Sequence, residues 1–333
     1  DPENVTTLTT GEEISSELIS ITVKDNVNRE AVVEIANGVG GTIDGELPDL
    51  KAYYIKFPTT KTGNEINTIV DQLRLNTNIE TASAVYMHES TESLPATTDI
   101  ERANLLTDDQ KWGFKKIKMP EAWQAIRNSG KDLANITVAV IDTGVGLSHP
   151  DLEGNLILQS NGYTATDFGD GDDNVSYDSF DMWANCIGRY HGTQVSGIIA
   201  SSVNGEGING VAPTAKIFPL KVSKHREGCT DTMKVKIPDY AVTYAVVWAK
   251  LAKVAVINLS LGTEFIGGIN DYKQDVEYKA ISLALKNNIV VVAGAGNSGK
   301  NSSTFFPAAV DGVISVGATD KDVDDGRWTD SSN

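Results

Sequence analysis

Short runs of β-branched and other apolar residues recur after residue 111, with helix-like stretches between them. They are TVAVID (137–142), AKIFPLKV (215–222), KVAVINLSLG (253–262), NIVVVAGAGN (288–297) and GVISVGATD (312–320). Strands that are apolar throughout must be covered on both faces. These runs therefore predict an α/β unit, a mostly parallel sheet between two layers of helices. The intervening helices are placed at 191–202, about 236–252 and about 272–287. The last carries an apolar stripe of Val276, Ile281, Ala284 and Leu285.

The first of these runs ends on Asp142. A carboxylate at the end of a buried strand is costly unless it has a partner. In open α/β sheets, the carboxyl ends of the strands are also where ligands bind. The candidate partner is His191, which opens a helix in YHGTQVSGIIAS. A carboxylate that accepts the Nδ1 hydrogen fixes the tautomer, and Nε2 can then take a proton from a nucleophile. On their own, an Asp and a His are two polar residues with no necessary connection. The neighbours add weight: Gly192, Ser196 and Gly197 are small residues that let the helix approach closely. In GAGNSG, Asn297 follows a buried strand, either as a turn residue or as an amide donor to a developing oxyanion.

Upstream, residues 18–90 read as a small α+β unit after an N-terminal extension, 1–17. ELISITVK (17–24), AYYIKFP (52–58) and TASAVYM (81–87) are strands. NREAVVEIANGVGG (28–41) and NEINTIVDQLRLN (64–76) are helices, which predicts two helices on one face of an antiparallel sheet. Residues 88–110 lack apolar periodicity and read as an exposed, cleavable linker with at most a short helix; the linker proper is 91–110. The second unit occupies 111–333.

A chain of 333 residues, 40% hydrophobic, is long enough for two such units. The net charge of -17 excludes a nucleic-acid partner, because phosphate binding needs a basic face. No run of ~18 apolar residues exists, so no membrane span is expected. The opening DPENVTTLTTGEE has neither a basic n-region nor an apolar h-region, so no signal peptide is read there, although one already removed would leave no trace. Cys186 and Cys229 form one bridge or remain two thiols. The stretch DFGDGDDNVSYDSFD (167–181) is a solvated acidic loop, or holds an ion through Asp167, Asp170, Asp172 and Asp173.

VIDTGVGLSHPDL, HGTQVSG, GVAP, NLSLG, GAGN and VISVGATD occur in that order. Together they resemble the subtilisin-like serine proteases (subtilases), over essentially Trp112 to Asn333. The resemblance implies a subtilisin-like doubly wound sheet, preceded by a small α+β propeptide that assists folding and plugs the cleft. QKWGFKKIKMPEAW (110–123) is similar to the start of a mature enzyme, which implies maturation between about Glu89 and Gln110. The implied function is that of a secreted endopeptidase acting on peptides or proteins. Asp142 would orient, His191 would act as base, and Asn297 would donate to the oxyanion. Ser260, Leu261 and Gly262 would pair with the substrate backbone. The stretch Leu220 to Cys229, with Ser223, would lie on its other side. Ala295 and Gly296 would border the cleft. Phe305 would line a side-chain pocket there and shorten it, unless it packs into the core. The resemblance also implies Ca2+, held by side chains of Asp151 and Asn204, carbonyls of Ser202, Glu206 and Ile208, and Asp108 or a neighbour. An ordinary Gly/Asn turn is the other reading of 202–213.

The sequence departs from that pattern in places. Gln194 stands where the family often has a second histidine, and Arg189-Tyr190 precede the base. Cys186 and Cys229 would lie near the cleft. The family's nucleophile sits in a Gly-Thr-Ser-Met-Ala type segment, expected beyond Asn333 in the C-terminal part of the same protein. Residues 1–333 alone are therefore expected to be inactive. A subtilase-like peptide-binding protein without catalysis is the alternative. A phosphotransferase would want a second Asp at Gly144, and a dinucleotide site would want G-x-G-x-x-G after the first strand; neither is present.

Overall fold

The structure is a computed structural model that describes residues 4–90, 109–130, 136–169, 175, 190–204, 207–223, 235–265 and 272–319. In the N-terminal unit, strand β1 (Val5–Thr7) is followed by β2 (Glu13–Val23), helix α1 (Arg29–Gly38), β3 (Thr42–Leu47), β4 (Ala52–Lys56), α2 (Gly63–Arg74) and β5 (Ile79–Ser90). The strands run antiparallel in the order β5-β2-β4-β3, with β1 on β2. Period-two alternation divides β2 between two faces. Ile19, Ile21 and Val23 pack with Val32 and Ala36 of α1 and Ile66, Val70 and Leu73 of α2. Ser20 and Thr22 lie on the opposite face and are also buried. Both helices start with side-chain caps: Asn28 Oδ1 accepts from Ala31 N–H, and Thr62 and Glu65 form a reciprocal capping box.

The second unit continues with α3 (Asp109–Lys116), α4 (Met119–Ser129), β6 (Thr137–Asp142), β7 (Gln159–Ser160), β8 (Tyr163–Thr164), α5 (His191–Ala200) and β9 (Lys216–Lys221). It then runs through β10 (Lys236–Pro238), α6 (Asp239–Leu251), β11 (Val256–Leu259), β12 (Leu261–Glu264), α7 (Val276–Lys286), β13 (Val290–Gly294), β14 (Phe305–Phe306) and β15 (Ile314–Val316). Five strands form a parallel sheet in the order β15-β13-β11-β6-β9. Along β6, Val138 and Val140 pack with Ala200 and Ile217 on one side. Ala139 and Ile141 join Phe218, Leu220, Ala245 and Ile257 on the other, so the sheet is covered on both faces. The chain visits β9 beside β6 and later places β11 on the other side of β6. The strand order therefore reverses at β6, and the crevice of such a sheet opens at its carboxyl end.

Strand β5 belongs to both units. It starts in the antiparallel sheet and ends between β10 and β12, paired antiparallel with each. The second face of the N-terminal sheet lies against α6 and α7. Lys279 Nζ donates to Thr22 Oγ1 at 2.7 Å, and Tyr54 packs against Tyr240 and Tyr244 with ring centroids 6.0 and 5.7 Å away. Asp239 Oδ2 accepts the N–H of Tyr86 at 2.6 Å.

Several boundaries differ from those read in the sequence. Residues 88–90, read as the start of the linker, continue β5, because two strand edges wait for them. Residues 5–7 and 13–17, read as an extension, are paired into the sheet; their polar residues hide a strand whose outer face is itself covered. The helix read from about 236 begins at Asp239, since Lys236–Pro238 pair with β5. The run 253–262 bends at Ser260 into two strands that serve different sheets. Helix α3 has too few apolar positions to announce itself; α4 does show Met119, Ala122, Trp123 and Ile126 at helical spacing, with Gly130 as its stop, a signal the sequence reading passed over. The linker 91–108 lies outside the described residues.

Burial under β5, with the charge of Glu277 beside it, raises the Asp275 carboxyl from its ordinary value to about 7; burial also pushes Asp239 well up. An acid with a raised folded-state value holds its proton in the fold at pH values where the unfolded chain has lost it. Stability then falls as pH rises from the ordinary carboxylate range through about 7 for Asp275, and Asp239 acts in the same direction. Thermal unfolding of the chain between pH 5 and pH 8 is expected to show this decline. Asp275→Asn, which keeps an amide oxygen to cap α7, is expected to flatten it.

Candidate active site

Asp142 is the last residue of β6, at the point where the strand order reverses. It is 1% exposed, and its Oδ1 accepts the N–H of Thr143 at 2.7 Å. The first residue of α5, His191, is 5% exposed and faces it. His191 Nδ1 lies 2.8 Å from Oδ1 and 2.9 Å from Oδ2 of Asp142. Facing a carboxylate, Nδ1 carries the proton and donates it, which turns Nε2 into the basic nitrogen.

The close approach of helix and strand depends on a glycine. A Cβ on Gly192 would overlap the carbonyl of Gly144 and stand 3.1 Å from Asp142 Cβ. Gly144 itself turns the chain with φ of 95°. Two hydrogen bonds sew the two segments together. Thr143 Oγ1 accepts from Gly192 N–H at 3.1 Å, and Thr193 Oγ1 accepts from Gly146 N–H at 2.8 Å. Ser196 and Gly197 are buried one turn further along α5, and Gly197 packs against Ser201 and Ile208 of the segment that follows the helix.

The parallel register brings the carboxyl ends of β6, β11 and β13 to one edge, since Asn258 pairs with Val140 and Val292. Asn297 follows β13 at that edge, exposed, after Gly296 turns the chain with φ of 98°. Ala295 is buried and its N–H is bonded to Val316 O at 2.8 Å. Ser260 stands at the bend between β11 and β12, where its Oγ accepts from Asn258 Nδ2 at 3.0 Å. Leu261 and Gly262 pair with Ser90 and Glu89 of β5, so this edge does hold an extended segment, here one supplied by the chain itself.

Other sequence-derived positions fall elsewhere. The strand that pairs with β5 across from β12 is Lys236–Pro238; of the stretch Leu220 to Cys229, residues 224–229 lie outside the described residues. Leu220 and Lys221 lie in β9, the end strand of the parallel sheet, with their backbone paired to β6. Ser223 is 4% exposed and lies under Gly169, whose missing Cβ leaves room for the Ser223 carbonyl. Phe305 packs in the core: it lies in β14, opposite Glu264 of β12, and its ring covers Gly262. Asp167 is not part of a solvated loop or an ion site. It is 2% exposed and paired with the equally buried Lys221 at 2.5 Å, a partner that a buried carboxylate needs. Asp170, Asp172 and Asp173, Asp108 and Glu206, and Cys186 and Cys229 lie outside the described residues.

The segment read as a calcium loop wraps around Asp151. That carboxylate is 5% exposed, and Oδ2 accepts the N–H of Ile208 at 3.0 Å. The Asp151 carbonyl accepts from Ser202 N–H at 2.7 Å. Gly207, with φ of 56°, passes so close that a Cβ there would overlap the carboxylate. Among the described residues, no group of three His, Cys, Asp or Glu side chains is arranged to hold a metal ion. Asp151, Ser202 and Ile208 are held together in this turn by those hydrogen bonds; carboxylate, hydroxyl and carbonyl oxygens are hard donors, of the type that suits calcium rather than a soft transition metal.

The profile of the Subtilase family matches residues 134–333. A thermophilic serine proteinase of Bacillus sp. (strain AK1) is 32% identical over 313 residues, covering 93% of this chain and 66% of that protein. The major intracellular serine protease of Bacillus subtilis (strain 168) is 35% identical over 210 residues, covering 62% of this chain and 56% of that protein. The chain thus spans less than two thirds of these relatives' own lengths. Among solved structures, fervidolysin from Fervidobacterium pennivorans, described as a keratinolytic enzyme related to subtilisin, superposes with a TM-score of 0.63 at 24% identity. That match covers 96% of this chain and 46% of the other, and it establishes likeness of fold.

Gly192→Ala is expected to part α5 from the end of β6, because the clash is with backbone rather than with a flexible side-chain tip. The expected loss of stability is about 1–3 kcal/mol by denaturant unfolding. Gly113→Ala, at a helical glycine where a Cβ meets nothing, serves as the control for an added methyl group.

Proposed function

Because this chain belongs to the subtilase family, we propose that it comprises the propeptide and the larger part of the catalytic domain of a secreted serine endopeptidase. The observation that carries this reading is the paired contact of His191 Nδ1 with both oxygens of Asp142, buried at the carboxyl edge of a parallel sheet. In the proposed reaction, Asp142 holds His191 in the Nδ1–H tautomer. His191 Nε2 takes the hydroxyl proton of a serine as its oxygen attacks the scissile carbonyl, then returns that proton to the leaving amine. Asn297 donates to the oxygen on which negative charge develops. The serine is assigned to the part of the protein beyond Asn333.

The N-terminal unit supports the propeptide role. It covers α6 and α7 with a whole sheet face, and it lays the end of β5 between β10 and β12, where a substrate would pair. Peptide binding by strand addition gives affinity through the backbone and selectivity through alternate side chains. When bound, calcium would be held by Asp151, Ser202, Asn204 and Ile208, with Asp108 and Glu206 as further candidates. It would lock the loop after α5 and thereby the helix that carries His191.

Expression of the complete gene, followed by assay with a fluorogenic peptide, tests the reading. The complete protein is expected to hydrolyse the peptide and to be blocked by a serine-directed reagent. His191→Ala is expected to lower kcat by at least about 10³-fold. Residues 1–333 alone are expected to show no turnover. Turnover unaffected by the reagent or by His191→Ala contradicts the mechanism, and peptide binding without turnover by the complete protein identifies a non-catalytic relative.

A further inference from the structure

The end of β5 is the middle strand of three. Met87, His88 and Glu89 face Pro238, Ile237 and Lys236 on one side, and Glu89 and Ser90 face Gly262 and Leu261 on the other. A strand seated this way takes the place of a peptide added to two sheet edges, and its side chains alternate between faces. The side chain of His88 points inward and is fully buried. Its Nε2 lies 2.5 Å from Oε2 of Glu277, which is also fully buried. The imidazole stacks on Phe306, with 6.3 Å between ring centroids and 21° between planes.

Behind this pair lie two more carboxylates, Asp275 and Asp239, 1% and 3% exposed. Each of these serves a structural end: Asp275 caps α7 through the N–H of Glu277, and Asp239 takes the N–H of Tyr86. Glu277 serves none. Among the described residues its side chain bonds to His88 alone, and Oε1 has no partner. Oδ2 of Asp275 and Oδ1 of Asp239 also lack hydrogen-bond partners. Glu277 thus faces one basic side chain with half of its carboxylate unanswered, and such burial is costly unless a cation answers it.

We propose that this pocket is a specificity subsite, which in the processed protease takes a planar cationic side chain of the peptide substrate, arginine or protonated histidine, at the position that His88 holds in β5. The inference rests on the protease reading and deepens it. Glu277 supplies a carboxylate for charge-assisted hydrogen bonds, and the face of Phe306 supplies a flat surface for a planar cation. Guanidinium and imidazolium satisfy both at once, whereas the compact ammonium of lysine satisfies only the first. The propeptide would then be held, and recognised at maturation, by the same contact that selects substrates.

The test uses the processed protease from expression of the complete gene, with labelled peptides built on residues 84–90, AVYMHES. The residue at the His88 position is varied among arginine, citrulline, histidine, leucine and alanine. Binding is read by fluorescence anisotropy and cleavage by kcat/KM, both at pH 7. The arginine peptide is expected to bind and to be cleaved better than its neutral isostere citrulline by about tenfold or more, the scale of a buried hydrogen bond to a charged group. Glu277→Gln is expected to shrink that ratio to within about twofold. Equal use of arginine, citrulline and leucine overturns the proposal while leaving the protease reading intact. A ratio that survives Glu277→Gln also overturns it. Preferential binding of arginine without any hydrolysis sustains the pocket and removes the protease reading; peptides neither bound nor cleaved remove both.

Discussion

The buried Asp142 carboxylate is the constraint on which the rest of the second unit depends. Placing that group at the carboxyl end of β6, almost without solvent, demands donors close by. Thr143 N–H and His191 Nδ1–H supply them. Bringing His191 there requires the first turn of α5 to touch the strand end, which requires Gly192 to have no side chain. It also requires the sheet to reverse its order at β6, so that the crevice opens there rather than being closed by a neighbouring crossover. Strand pattern, small residues and site chemistry therefore answer a single electrostatic demand.

Strand β5 imposes the second constraint. It is shared by two sheets, and its 12 residues carry the N-terminal unit onto the second one. The cost of this arrangement is concentrated at the N-termini of α6 and α7, where Asp239, Asp275 and Glu277 are all closed off by the incoming strand. Helix N-termini favour negative charge, which accounts for acids at Asp239 and Asp275. It does not account for the depth at which Glu277 is buried against His88, and that contact is where the two units read each other's chemistry.

Much of the sheet could be read directly from the chain. The run 137–142 coincides with β6, and the 215–222, 288–297 and 312–320 runs each contain their strand, because continuous β-branched stretches have few other ways to be buried. The Asp142–His191 pairing was legible only through residues around it, Gly192 above all. Positions set by long-range contact were not legible. Nothing local in Lys236–Pro238 announces a strand that needs β5 as its partner, and nothing in MHES distinguishes a linker from a strand end. Phe305 and Ser223 add that a motif gives a position but not its packing: the Phe305 ring lies against Gly262, and the Ser223 carbonyl lies against Gly169.

The account turns on the state of one imidazole. Heteronuclear NMR of the chain with 15N-labelled histidine reads the tautomer of His191 directly and needs no catalytic turnover. The predicted result is a proton on Nδ1, held in a hydrogen bond that shields it from exchange, with that signature lost in Asp142→Ala. A neutral His191 protonated on Nε2, or an Nδ1–H signal indifferent to removal of the Asp142 carboxylate, would contradict the assignment of this pair as an oriented general base.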